Sequence, residues 1–417
     1  MLRHALAAVA ATIVATTLST TTAHAACGGE YPNAVAGAPL CQTDEITYGN
    51  SKLNYTLTAT NTPVAMTEPL SLLAIKPDPV AASATDQFAA AGAPNGTGRP
   101  VILWLHGGGF VAGQKTDLQH YAKFFARYGF VSVLPEYDLP PLGDFYTDGA
   151  WSVPNKRATN LTVDSVSQSA QRDIQTAVRH LRVRFEDYGI NPHRIYAVGM
   201  SSGGMTAVRL ATRATDTDKP GRDVTPGASS LVSHISGAVS IAGSECFPGA
   251  PTSVQLWPYR APAGSCTVDT NPTGNAPFWM LHGNYDQTLK YDWARAACRA
   301  YPAQCGDSRF HLYNRYPINE SGPGHGDGSV GNCTLTPAMS QAVGGVWWNN
   351  YFGLPIDVYP GGDHFFADPG SCESRAGVTA SGAAAAGTWA NMNAPADRPR
   401  TVAYRIWLSL YPLASAP

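Results

Sequence analysis

Charge is scarce in this chain. Lys and Arg number 28 and Asp and Glu 30, which is 14% of 417 residues and a net charge of −2. A surface that neutralises a phosphate backbone needs a basic excess, so nucleic acid is excluded as a partner. No two cysteines stand in C-x-x-C spacing, which removes the commonest zinc and thiol-redox patterns. No repeat of fixed period is present, so a solenoid is excluded. Beyond the first 25 residues no apolar run approaches the roughly 20 residues of a membrane helix.

The N-terminus is a leader by composition. Met1-Leu2-Arg3-His4 is a short basic start, Ala5 to Leu18 is apolar, and Ala23-His24-Ala25 has a small-x-small form. Cleavage is expected after Ala25, with secretion as the consequence. All eight cysteines follow that point, and an even number in an exported chain suggests disulfides. Short loops make neighbours the simplest pairs: Cys27 with Cys41, Cys246 with Cys266, Cys298 with Cys305, and Cys333 with Cys372.

A polar segment, 26–45, is expected as an extension before the domain. Ile46 to Thr60 and Leu70 to Lys76 are fit for strands. Val101 to Leu105 and Phe130 to Leu134 are apolar throughout, as buried parallel strands are. Val163 to Tyr188 carries one apolar stripe, Val166, Ala170, Ile174, Ala177, Val178, Leu181 and Phe185, and predicts a helix. Ile195 to Val198, Ile235 to Ala242, Pro277 to Leu281 and Pro355 to Tyr359 read as further strands. Helices are expected near Asp117 to Tyr128, Ser202 to Ala214, Asp292 to Tyr301 and Thr401 to Leu410. Strands alternating with helices imply an α/β fold, a mostly parallel central sheet with helices on both faces. One domain over 46–417 is expected, with insertions near 139–161, 246–276 and 306–335.

Parallel α/β sheets place chemistry at the carboxyl ends of their strands. At one such end stands Gly199-Met200-Ser201-Ser202-Gly203. Its G-x-S-x-G spacing sets a serine on a sharp strand-to-helix turn. With Ser201 central both flanking slots are glycine. With Ser202 central one slot would be Met200, so Ser201 is the nucleophile candidate and Ser202 a donor of its backbone N–H. At another strand end stands His106-Gly107-Gly108-Gly109-Phe110. Glycines there let backbone N–H groups turn toward the oxygen of a tetrahedral intermediate.

These motifs resemble those of the α/β-hydrolase superfamily, in particular the carboxylesterases and hormone-sensitive-lipase-like esterases. Trp104 to Gly113 is similar to their oxyanion loop, and Asp173 to Gly204 to their helix, strand and serine elbow. The resemblance implies an oxyanion hole of Gly108, Gly109 and Ser202 N–H groups, and a triad in the order Ser, acid, His. Met280-Leu-His-Gly-Asn-Tyr-Asp286 is similar to the family's acid turn, so Asp286 is the expected acid, with Glu245 as alternative. Pro360-Gly-Gly-Asp-His364-Phe-Phe is similar to its terminal loop, so His364 is the expected base. His325, in Gly322-Pro-Gly-His-Gly-Asp327, is the rival. It lies 39 residues after Asp286 and His364 lies 78 after it. The family's interval is usually the shorter, so His364 requires an insertion at 306–335. His106 and His282 belong to motif loops, and His106 is expected to brace its loop.

A secreted serine ester hydrolase on short-to-medium acyl or aryl esters is the function this implies, without cofactor or metal and without membrane insertion. The aromatics Phe247, Trp257 and Tyr259 lie between Cys246 and Cys266, a candidate flap over the pocket. A secreted peptidase of the same fold, or a binding protein on a hydrolase scaffold, are the alternatives. The oligomeric state and the natural ester are not written in the sequence.

Overall fold

The computed structural model of the protein describes residues 27, 29–36, 38–57, 62–79, 86–88, 98–110, 113–139, 163–213, 216, 219–244, 274–283, 291–313 and 402–416. The central strands of the main sheet are β7 (Arg99–Leu105), β8 (Val131–Pro135), β9 (Ile190–Met200), β10 (Gly237–Ile241), β11 (Phe278–Gly283) and β12 (Phe310–Tyr313). They lie in the order β8-β7-β9-β10-β11-β12, each parallel to its neighbours. Ahead of them come β1 (Asn33–Ala34), β2 (Leu40–Gln42), β3 (Ile46–Asn50) and β6 (Pro69–Pro77). These extend the β8 edge through antiparallel pairs, with β6 on β8 and both β2 and β3 on β6. A separate two-stranded ribbon joins β4 (Leu53–Leu57) to β5 (Thr62–Met66).

The period of two along each strand divides the core into two layers. Val101, Leu103 and Leu105 of β7 with Ile195 and Ala197 of β9 face one side. There they meet α2 (Val163–Val183), α4 (Ser202–Thr212) and α5 (Tyr291–Ala300). Ile102 and Trp104 with Tyr196, Val198 and Met200 face the other, against α1 (Gln119–Arg127) and α6 (Val402–Ala414). Trp104 is fully buried, stacks on Tyr121 at 5.7 Å and donates its indole N–H to Ser132 Oγ at 3.1 Å. The expected stripe of α2 is buried from Val166 to Leu181. Each Val, Ile or Leu of the stripe contributes about 1.5–3 kcal/mol when fully buried. Phe185 lies beyond a break at Arg184, in the short helix α3 (Phe185–Tyr188) that Gly189 ends at φ +65°.

Three expectations change. Residues 33–42 are not an appendage, since they carry β1 and β2 of the main sheet. The Cys27–Cys41 disulfide closes that segment, and Tyr31 lies fully buried in the core. The Ile46 to Thr60 strand is broken after Asn50, where Ser51 is buried and its Oγ donates to Asp138 Oδ2 at 2.7 Å. Finally, the insertion expected at 306–335 begins inside the sheet, because Phe310–Tyr313 is β12, paired with β11 from Met280 to Gly283. The second expected disulfide of the described residues, Cys298–Cys305, also forms. The other two cysteine pairs and the strand at Pro355 to Tyr359 lie outside the described residues. Among the described residues no helix is long and apolar enough to cross a membrane.

Candidate active site

The serine elbow is built by steric exclusion. β9 ends at Met200 and α4 begins at Ser202, leaving Ser201 alone to reverse the chain. Ser201 has φ +54° and ψ −119°, a region costly for a residue with a Cβ. Its N–H donates to Ile241 O of β10 at 2.8 Å, which ties the turn to the adjacent strand. A Cβ on Gly199 would lie 2.1 Å from Gly203 O, and one on Gly203 would lie 2.1 Å from Leu105 O. No side chain fits at either place, which is the physical content of the G-x-S-x-G spacing. Ser202 has no such constraint and starts the helix, fully inside it.

The glycine loop leaves β7 directly beside this turn. A Cβ on Gly107 would lie 3.2 Å from both Met200 O and Ser201 Cβ, so the loop backs onto the nucleophile candidate. Gly108 and Gly109 have φ of +118° and +64°, and Phe110 follows at +64°. Both glycines are half-buried while Phe110 is buried. The loop and elbow therefore bring Ser201, Ser202, Gly108 and Gly109 to one place at the carboxyl ends of β7 and β9. Asp286, His364, His325 and Glu245 lie outside the described residues.

His106 braces the loop, as expected. It is buried, and its Nδ1–H donates to Gly107 O at 2.8 Å. Its Nε2 stands 3.7 Å from Glu136 Oε1. The ring stacks flat on Tyr137, centroids 4.1 Å apart at 7°. The sequence reading missed Glu136, Tyr137 and Asp138. They follow β8, and the rule that singles out strand carboxyl ends would have found them. Their anchors are dense. Tyr48 donates its hydroxyl to Glu136 O, and Lys115 N–H donates to Glu136 Oε2 at 3.2 Å. Asp138 N–H donates to Asp173 Oδ2 at 3.0 Å, and Asp173 pairs with Arg222. Burial pushes the Asp138 carboxyl up to about 6 and that of Asp173 up to about 8, against the pull of Arg222. Ala242 was also missed. It turns at φ +50° where β10 ends, with its N–H on Leu281 O at 2.8 Å.

Residues 84–235 match the Carboxylesterase family. That span holds β7 through α4, and so the glycine loop and the elbow. The fold is that of the α/β-hydrolases. Phenmedipham hydrolase of Pseudarthrobacter oxydans is 28% identical over 121 residues, 28% of this chain. The match spans about a fifth, 21%, of that relative's length. Esterase 2 of Thermogutta terrifontis phosphonylated by cyclosarin is 18% identical over 68% of this chain and 84% of its own, with a TM-score of 0.42. The native form of that esterase gives 0.39 at 18% identity, over 64% of this chain and 81% of its own. Among the described residues the glycine loop follows β7 and the serine elbow follows β9, both within the matched span.

Proposed function

We propose that the protein is a serine ester hydrolase working by acyl transfer on short-to-medium acyl or aryl esters. The observation that carries this reading is the strained turn at Ser201 with the glycine loop packed against it. A serine hydroxyl needs a base to take its proton and an acid to orient that base. In this reading the base, held by Asp286, takes the Ser201 proton as Oγ attacks the ester carbonyl. The N–H groups of Gly108, Gly109 and Ser202 receive the oxyanion. The alcohol departs with the proton from the base, and water then frees the acid by the same route.

The base is His364 on its motif, Gly-Gly-Asp-His-Phe-Phe. His325 is the alternative base, favoured by β12, whose carboxyl end at Tyr313 lies twelve residues earlier. Loss of the leader after Ala25 and export complete the reading, supported by the disulfides Cys27–Cys41 and Cys298–Cys305. The match to phenmedipham hydrolase adds phenmedipham to the substrates worth assaying.

The test is hydrolysis of a chromogenic ester series by residues 26–417, beside Ser201→Ala, Asp286→Ala, His325→Ala and His364→Ala. Loss of a triad member is expected to cost on the order of 10⁴ in rate. Whichever histidine variant falls with Ser201→Ala, while remaining folded, is the base. No ester cleavage by the wild-type chain, and no fluorophosphonate adduct on Ser201, overturns the reading.

A further inference from the structure

We infer that Tyr137 is a positioning residue that locks the two halves of the oxyanion hole together; this rests on the acyl-transfer reading. Its phenol oxygen lies 2.7 Å from His106 O and 3.4 Å from Ser202 Oγ. A phenol has one proton. His106 O is a carbonyl and can only accept, so the Tyr137 proton goes there. Ser202 Oγ–H is then the donor to the Tyr137 oxygen. The chain runs from Ser202 through Tyr137 to the carbonyl of the 106–107 peptide.

That peptide leads directly into Gly107, Gly108 and Gly109. Its orientation sets the plane from which the loop's N–H groups emerge. Ser202 supplies the third proposed donor, from the other side of the hole. Tyr137 belongs to neither half, since it follows β8 while the loop follows β7 and Ser202 opens α4. A single hydroxyl therefore bridges three strand ends.

The bridge is rigid on all sides. The ring is buried, stacked on His106 and edge-on to Phe110 at 6.3 Å. The residues before and after it are held by Tyr48, Lys115 and Asp173. A Cβ on Gly203 would come within 2.4 Å of His106 O, so the carbonyl that accepts from Tyr137 also lies hard against the Gly203 backbone. Burial raises the phenol's pKa well above its ordinary value, so the donor is present at every working pH. Catalysis by oxyanion donors depends on their being fixed before the charge develops. Displacing reacting groups by about 1 Å can cost ~10² in rate.

The experiment compares wild type, Tyr137→Phe, Ser202→Ala and the double variant. Tyr137→Phe keeps the ring stack and removes only the bridge. Each rate is expressed per active site titrated with a fluorophosphonate. A phenyl trifluoromethyl ketone, which forms a tetrahedral oxyanion on Ser201, measures the hole itself. Tyr137→Phe is expected to lower kcat by about 10- to 100-fold with KM little changed, less than the 10²–10³ of an outright lost donor. The ketone Ki should rise by the same factor. Ser202→Ala, which keeps its backbone N–H, should lose only a few-fold. The double variant should match Tyr137→Phe alone. A Tyr137→Phe enzyme with unchanged kcat per titrated site and unchanged Ki overturns the inference, even if it is less stable. Should Tyr137→Phe not fold, Ser202→Ala alone decides: unchanged kcat per titrated site and unchanged Ki in that variant overturn the inference. If the wild type itself neither cleaves esters nor binds the ketone, it is the acyl-transfer reading that has failed.

Discussion

Gly199 and Gly203 face each other across the serine elbow so closely that a Cβ on the first would stand 2.1 Å from the carbonyl oxygen of the second. The same Gly203 touches the end of β7, with Leu105 O at 2.1 Å and His106 O at 2.4 Å from where its Cβ would be. Strand β9, helix α4 and strand β7 thus meet with no room for a methyl group. Gly203→Ala should therefore damage both fold and site, since backbone and not a flexible side chain lies in the way. We expect little soluble protein, or a melting temperature lowered by many degrees with ester hydrolysis down more than about 10²-fold. Differential scanning calorimetry and fluorophosphonate labelling check this. A stable, fully labelled Gly203→Ala protein would contradict the packing.

Asp138 and Asp173 place two carboxyls around one guanidinium, Arg222, with Ser51 and Tyr48 beside them. Burial raises both carboxyls above their ordinary value of 3.8, to about 6 for Asp138 and about 8 for Asp173. A carboxyl that binds its proton more tightly in the folded chain contributes stability at low pH. That contribution is lost as pH rises through the folded value. For Asp138 the window runs from 3.8 to about 6. Asp138→Asn should flatten the pH dependence of the urea midpoint across that window, by on the order of 2 kcal/mol. Its buried Oδ1 accepts no hydrogen bond among the described residues, so the substitution breaks none there, and the comparison is of slopes with pH and not of absolute stability. Equal slopes in variant and wild type would sink the assignment.

The Cys27–Cys41 bond ties the first described residue to β2, itself paired with β6. Closing a loop of this size restricts the unfolded chain by about 3 kcal/mol. The Cys27→Ser, Cys41→Ser protein should lose about that much in urea titrations. Its β1–β2 edge should exchange amide hydrogens faster than β7 and β9 do. Unchanged exchange at Leu40 to Gln42 would show that the sheet holds this edge without the bond.

The central architecture was legible because its signals are long or sterically strict. The α2 stripe repeats over about four turns, and β7 from Val101 and β9 from Ile195 are buried without a charged side chain. The elbow is fixed by two glycines whose absent side chains can be read directly. What escaped was short. β2 has three residues and β12 four, Phe310-His-Leu-Tyr, too few for a period to register; only their hydrogen-bonded neighbours make them strands. Tyr137 escaped for another reason. Its role depends on a stack against His106, 31 residues earlier, and on Ser202, 65 residues later. No local pattern encodes such a meeting. Asp286, His364 and His325 were singled out by motif, and they fall outside the described residues.

Ser201, His106, Tyr137 and Ala242 sit one to two residues past the ends of β9, β7, β8 and β10. Each depends on a strand that finds its parallel neighbour only after an intervening helix or loop is laid down. Such long-range pairing is slow to search. Partly folded chains can regain helix content early, from α2 and α4, while the hole is still open. In refolding, recovery of ester turnover should therefore trail the recovery of circular dichroism, and turnover becomes a clock for the last strand to dock.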